Sequence, residues 1–367
     1  MSIRERKRLA TVGVAVGCGL ILTVAACVVF RPQIGAFILQ KIAQHQAGRD
    51  VVADLPPGLH LALCGTGSPL PDPSRAGPCN AVIAGGKVFL VDAGEGASGN
   101  LARMGIPAGR IEAIFLTHFH SDHIDGLGST LMQRWIGGGH DMPTPVHAPE
   151  GVESVVAGFN AAYALDDGYR TAHHGGVIAP PGGAGGQAVP FAVAEAAAPD
   201  GVVVYQRDGL TVRAFTVDHG PVKPTVGYRF DYQGRSLVIS GDTVRSEHLI
   251  HNARGADLLI HDALQPRLLK LVTAGLDERH ADNLAQVTRD IVDYHATPEQ
   301  AAEIAQAADV RELVLSHVVP PQPMRYGYAA FMGDAARRFD GPVIVGEDGM
   351  LFSLPPKSTD IKRSRLL

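Results

Sequence analysis

From about residue 57 onward, short apolar runs alternate with turns marked by glycine and proline, and the runs have the length of strands. "LHLALC" at 59–64, "NAVIAGG" from Asn80 and "KVFLVDAG" from Lys87 predict three consecutive strands. A helical stretch near Ala97–Met104 and a fourth strand, "IEAIFLTH" from Ile111, follow. The pattern loosens between Gly126 and Val202, where "APPGGAGGQAVP" reads as a surface loop. Strands then return. "GVVVYQRDGLTVRAFTVDHG" predicts a hairpin, "TVGYRFDYQGRSLVISGDT" two strands across a tight turn, and "ADLLIHDA" another. "TPEQAAEIAQAADV" predicts a helix with proline in its first turn, "RELVLSHV" the strand after it, and Val343–Leu354 a last hairpin. This is α/β alternation in two strand-rich halves, compatible with two domains or with one layered sandwich.

The N-terminus follows a different pattern. Arg4, Arg6, Lys7 and Arg8 precede an uncharged stretch of 22 residues, Leu9 to Phe30. As a helix it is long enough for a hydrocarbon core of about 30 Å. The basic flank predicts a cytoplasmic N-terminus, with the rest of the chain periplasmic or at the cell surface. A cleaved signal is the rival reading, secreted or lipidated, because "VAAC" ending at Cys27 resembles a lipoprotein cleavage box. The expected organisation is an anchor or signal at 1–30, a short helix and linker at 31–56, a catalytic domain at 57–355 and a tail at 356–367. An oxidising compartment would allow Cys64 and Cys79 to pair; two separate buried thiols are the alternative.

Composition adds little except in one respect. A net charge of −5 gives no global footprint for nucleic acid. The 16 histidines matter more, since histidine is the commonest metal ligand. In "FLTHFHSDHIDG" an apolar strand runs into His118, His120, Asp122 and His123, four ligand-type residues in six positions. His118 and His120 alternate back to one side of an extended chain and can hold one metal. After the turn, Asp122 and His123 can face a second.

This run resembles the His-x-His-x-Asp-His motif of the metallo-β-lactamase superfamily, and the resemblance extends from about Leu59 to Leu354. It implies a single four-layer αββα sandwich. Asp92 in "FLVDAGEG" matches the strand-end aspartate that supports the site from behind. His219, Asp242 in "VISGDT" and His317 in "LVLSHV" match the remaining metal motifs. The implied assignment gives one metal to His118, His120 and His219, a second to Asp122, His123 and His317, and Asp242 to both. Two zinc ions are expected, with manganese or iron also compatible with such ligands. Water ionised between the metals would be the nucleophile.

The "GDT" carboxylate points away from true β-lactamases and toward ribonuclease Z and its phosphodiesterase and arylsulfatase relatives. There His295, before "TPEQ", would protonate the leaving group; a helix-cap histidine is the structural alternative. Hydrolysis of an anionic ester, first a phosphodiester and second a sulfate ester, is the expected activity. A lactonase or β-lactamase, and a non-catalytic metal-binding protein, are the rivals. Two departures bear on substrate. Only "DYQGRS" separates Phe230 from Leu237, where ribonuclease Z inserts a long arm that grips transfer RNA, so a small anionic ester is expected instead. "HDA" around His261 replaces His-Glu-Ala, weakening any role of the acid at Asp262. The membrane and a second copy in a homodimer complete the expected partners. His173 and His174, near Tyr169 and Arg170, read as a solvated pair or as contacts at the mouth of the site. "CGTGSPLPDPSRAGPC" reads as a plain loop or as an amide cradle for an anion.

Overall fold

The computed structural model describes residues 3–5, 8, 13, 16, 17, 19, 20 and 27–367. They fall into two units, Met1–Arg49 and Asp50–Leu367. In the first, the helix Arg31–Gln46 carries exposed Phe37, Ile38 and Leu39. The expected anchor, Leu9 to Phe30, lies largely outside the described residues. Among the described residues no helix is long and apolar enough to cross a membrane.

The second unit is built on two sheets. The strands are β1 (Leu59–Gly65), β2 (Cys79–Ala84), β3 (Lys87–Val91), β4 (Ile111–Phe115), β5 (Thr144–Pro149), β6 (Gly186–Phe191), β7 (Val202–Arg207) and β8 (Leu210–Thr216). They continue with β9 (Val226–Tyr232), β10 (Arg235–Ile239), β11 (Leu258–Leu264), β12 (Glu312–Val319), β13 (Val343–Val345), β14 (Met350–Leu354) and β15 (Lys362–Arg365). One sheet runs β15-β14-β1-β2-β3-β4-β5-β6 and the other β13-β12-β11-β10-β9-β8-β7.

Alternation along each strand sorts the side chains into three main cores, with a smaller cluster of Leu264, Leu269 and Val319 under Leu70. Leu59, Leu61 and Leu63 of β1, with Phe89 and Phe115, face Val212, Tyr228, Phe230, Leu237 and Ile260 of the other sheet. Between them, Ala62 and Cys64 face outward to Leu101, Met104 and Leu131 on the helices Ala97–Met104 and Leu127–Gly138. On the far side Val238, Leu259, Leu313 and Leu315 pack against Leu249 and Ile304, on the helices Glu247–Ala253 and Pro298–Ala307. A face that buries apolar groups on both sides of a sheet reads as a continuous apolar run. That is the pattern of "KVFLV" and "LLIHDAL", and the result is one αββα sandwich.

Three local expectations need correction. The stretch 126–202 is regular: it holds the helix Leu127–Gly138, β5, the 23-residue helix Val152–His174 and β6. Part of "APPGGAGGQAVP" is itself β6, paired in parallel with β5. Val343–Leu354 is no hairpin, because β13 pairs with β12 in one sheet while β14 pairs with β1 in the other. The chain crosses between sheets at Gly346–Gly349. Residues 362–365 of the expected tail form β15 against β14.

Candidate metal centre

The ligand-type residues lie at or just beyond strand ends that meet on one edge of the sandwich. Asp92 follows β3, His118 lies three residues after β4, Asp242 three after β10 and His219 three after β8; His317 lies near the end of β12. The turn Ser121–Ile124 is seated tightly. A Cβ on Gly94 would lie 2.3 Å from the Asp122 carbonyl oxygen, and one on Gly126 2.1 Å from that of Gly94. Only glycine allows this approach, which explains "DAG" and "DG" beside the ligands. Asp92 (φ 62°) and His317 (φ 47°) both hold left-handed backbone, an uncommon state for residues with a Cβ and one found often at functional sites.

These residues meet in two groups, and His295 forms a third with Asp242 and His317. Nitrogen and oxygen atoms of His118, His120, His219 and Asp242 lie within 4.8 Å of one another, as do those of Asp122, His123 and His317. Asp242 Oδ2 lies between the groups, 3.9 Å from His118 Nε2 and from His219 Nε2, 3.3 Å from His123 Nε2 and 3.2 Å from His317 Nε2. His317 Nε2 is also 3.1 Å from Asp122 Oδ2.

The outer ring nitrogens are fixed by neighbours. His123 Nδ1 bonds Asp92 Oδ2 at 2.8 Å, His118 Nδ1 bonds Thr117 Oγ1 at 3.0 Å, and His219 Nδ1 donates to the Tyr294 carbonyl at 2.8 Å. Each Nε2 is thereby turned inward toward Asp242, the usual arrangement of metal-binding imidazoles. Thr117 and Tyr294 were not singled out from sequence. The only signal for them is adjacency to His118 and His295.

Electrostatics divide the histidines. Burial, reinforced by neighbouring imidazoles, holds His118 well below its ordinary value. Burial also lowers His120 and His219, against the pull of Asp242. His123 and His317 are raised despite burial by Asp242 and Asp122. Burial would raise Asp242 and Asp122, but the charges of His317 and His123 hold both carboxyls below their ordinary range.

The donor set fits divalent cations on two observations. His123 Nε2 is buried without a hydrogen-bond partner, a costly state that a metal would relieve. A hollow of about 20 Å³ lies among Asp92, His123, Asp242, Asp262 and His317, enough for a water or an ion.

His295 borders this cluster. Its ring is 5.2 Å from that of His317 and 5.0 Å from that of His219, and Nδ1 bonds Asp262 Oδ2 at 2.8 Å. Burial would raise Asp262, yet hydrogen bonds from His261 and His295 hold it below the ordinary carboxylate value. The cap of the helix Pro298–Ala307 is Thr297, in a capping box with Gln300, so His295 does not cap it. Asp262, although shorter than the glutamate of the resembled motif, thus reaches His295.

His173 and His174 are exposed at the far end of the helix Val152–His174, about 33 Å along its axis from Gly151 beside Phe119. They are not part of the cluster. Amides of the 65–78 loop are engaged internally: Thr66 and Ala76 donate to Asp348, Gly67 to the Ala76 carbonyl and Gly77 to that of Glu95. These four amides are therefore not free to cradle an anion.

Two facing sheets with histidine and aspartate gathered at one edge define a metal-dependent hydrolase of the αββα class. Residues 87–318 match the family model described as "Beta-lactamase superfamily domain". A Ribonuclease Z of Mycolicibacterium gilvum is 40% identical over 293 residues, 79% of this chain and 94% of that protein. One of Mycobacterium avium is 39% identical over 292 residues, 79% of this chain and 96% of that protein. In fold, the chain resembles the short form of human tRNase Z, with a TM-score of 0.57, 23% identity and coverage of 81% and 99%. The chain belongs to the metallo-β-lactamase superfamily, with ribonuclease Z among its near relatives. It is a hydrolase of the metallo-β-lactamase fold.

Proposed function

We propose that the chain holds two divalent cations, one at His118, His120 and His219 and one at Asp122, His123 and His317, with Asp242 shared, and that it cleaves a phosphodiester between them. The observation that carries this reading is the placement of Asp242 Oδ2, within 3.9 Å of four inward-turned imidazole nitrogens from both groups. Such a metal pair supplies a nucleophilic water at neutral pH and offsets charge on the phosphoryl oxygens. The protein's own work is positional. Asp92, Thr117 and the Tyr294 carbonyl fix the imidazole orientations. His295, with Nδ1 held by Asp262, keeps Nε2 for the proton that the leaving alkoxide needs.

For substrate, β9 and β10 are joined by the two-residue turn Gln233-Gly234, so no arm rises there. This favours a small diester. The names of the relatives favour an RNA end, which makes that the second reading. The basic Arg4–Arg8 flank, the uncharged run Leu9–Phe30 and the Cys64–Cys79 disulfide favour a domain anchored outside the cytoplasm. Metal analysis of the loaded protein should find close to two ions per chain, and Asp242→Ala should lose both. Turnover of a bis-aryl phosphodiester, an aryl sulfate, a lactone and a 3′-extended transfer RNA then separates the substrate classes. Native content near one ion, or Asp242→Ala with full metal and normal turnover, would refute the shared-carboxylate reading.

A further inference from the structure

Beside the metal centre lies a cleft of about 570 Å³. One wall is the turn that carries Ser121, Asp122 and Asp125. The other is the loop between β1 and β2, which presents Ser68, Leu70 and Pro71. Within the loop, Asp72 accepts from Ser74 N at 2.8 Å and pairs with the buried Arg75 guanidinium at 3.6 Å. Arg75 donates to the Gly346 carbonyl and to Tyr328 Oη, and Leu70 packs against Leu264, Leu269 and Val319. The loop lacks regular secondary structure, and Pro69, Pro71 and Pro73 have no N–H to give to any ladder. Two further ties lie at its base.

The first tie is the disulfide Cys64–Cys79, fully buried, with Cα atoms 5.0 Å apart. The second is a carboxylate from a remote part of the chain. Asp348 lies where the chain crosses from β13 to β14, and thus from one sheet to the other. Its Oδ1 accepts from Thr66 N at 2.9 Å and Thr66 Oγ1 at 2.7 Å, on the outgoing limb of the loop. Its Oδ2 accepts from Ala76 N at 2.7 Å, on the returning limb, and from Asn100 Nδ2 at 2.7 Å. Asn100 Nδ2 also donates to the Cys64 carbonyl at 2.9 Å, joining the two ties. Beyond Ala76 the returning limb runs against the metal-binding turn. A Cβ on Gly77 would lie 3.0 Å from the Asp122 carbonyl oxygen, and Gly77 N donates to the Glu95 carbonyl at 2.8 Å. Asp348 thus ties both limbs of the loop to the crossover between the sheets, and it helps set the position of the cleft wall relative to the Asp122 turn while lining neither the ligand cluster nor the cleft.

Resting on the phosphodiesterase reading, we propose that Asp348 is a positioning residue for substrate specificity. It holds the Leu70–Pro71 wall at the distance that accommodates the organic arm of the diester, the arm retained on phosphorus rather than the one expelled. Leu70 and the prolines are apolar and stiff, so the arm they suit is flat and bulky, as a nucleoside is, rather than a small alkyl group.

Substituting Asp348→Asn tests this, because an amide cannot replace the carboxylate. Whichever way it is turned, its NH₂ faces two groups that now donate, either Thr66 or the Ala76 and Asn100 pair. Two substrates with the same leaving group isolate the arm: thymidine 5′-(4-nitrophenyl) phosphate and methyl 4-nitrophenyl phosphate. The ratio of kcat/KM, nucleoside to methyl ester, should fall about tenfold in Asp348→Asn, mainly through KM of the nucleoside ester. Equilibrium binding of thymidine 5′-monophosphate should weaken by a similar factor. An unchanged ratio, or a parallel loss of kcat on both esters together with metal, would overturn the proposal. Should Asp348→Asn not fold, Leu70→Ala, in the loop but outside the hydrogen-bonded base, must lower the same ratio, and an unchanged ratio there refutes it. A native protein that turns over neither ester sinks the phosphodiesterase reading instead. The nucleotide-binding comparison between native and variant then still decides the role of the wall.

Discussion

Asp92→Asn probes how His123 is oriented toward the proposed second metal site, and its effect can be worked from four contacts. Asp92 Oδ1 accepts from Thr117 N at 2.8 Å and Oδ2 from Thr117 Oγ1 at 2.9 Å; Oδ2 also receives His123 Nδ1 at 2.8 Å, and a longer Oδ1 contact to Thr117 Oγ1 spans 3.2 Å. Asparagine is isosteric and tolerates the left-handed backbone at this position, so neither shape nor strain changes. What changes is donor and acceptor matching. If the amide oxygen stays on Thr117 N, the NH₂ faces His123 Nδ1, and a neutral ring must carry its proton on Nε2, where the metal would bind. If the amide flips, the NH₂ faces Thr117 N–H and a buried donor is left unmatched, at about 1–3 kcal/mol. Metal binding must bear one cost or the other. Loss of such an outer-shell partner is worth about 10- to 100-fold in metal affinity, or roughly 1.4–2.7 kcal/mol. Competition titration against a chelator, for a variant whose circular dichroism matches native, reads this directly. A folded Asp92→Asn protein that binds both ions within about twofold of native affinity would refute the orientation argument.

Three other outcomes are expected. His295→Ala should keep its metal yet slow alkyl diesters about 10²- to 10⁴-fold, with far less loss on nitrophenyl esters, whose leaving group departs without a proton; equal losses on both would make His295 structural. His147 lies in β5 with its ring 5.0 Å from that of Phe115, and burial pushes it down to about 4. Its unfolded form takes up a proton below about 6.5 while the folded form does not, so stability is complete above pH 6.5 and is lost as pH falls toward 4, by about 3 kcal/mol at most. Denaturation of metal-free His147→Phe at pH 7 and pH 4.5 should show a smaller loss than native, and an equal loss contradicts the assignment. Replacing Cys64 and Cys79 by alanine reopens a closure spanning 15 residues and should lower unfolding free energy by about 3 kcal/mol, measured by chemical denaturation; no change would show that the denatured loop is already restrained.

What was legible in the sequence, and what was not, follows from the range of the interactions involved. The strands β4, β10 and β12 are a few residues long and buried on both faces, so "IFLTH", "VISGD" and "LVLSH" carry apolar run and ligand together, and local reading finds both. The helix Val152–His174 escaped the same reading because only Val152 and Val156 along it are buried. A helix resting on so narrow a stripe leaves little 3.6-residue periodicity in its sequence. The split of Val343–Leu354 between two sheets was invisible for a related reason. Both segments are short and apolar, and the turn between them, "GEDG", looks like any hairpin turn. Its aspartate is Asp348, whose partners Thr66 and Ala76 lie 282 and 272 residues away in the chain. The division has a chemical consequence for this protein. Residues that would hold the metals announce themselves by type and by their place at strand ends, because coordination demands specific atoms. Residues that set the shape of the substrate cleft do so by hydrogen bonds to backbone amides, which almost any sequence offers, so neither partner is conspicuous in the sequence. Specificity within this fold is accordingly expected to depend on positions such as Asp348 and Asn100 that a reading of motifs passes over, while the reaction depends on those it finds.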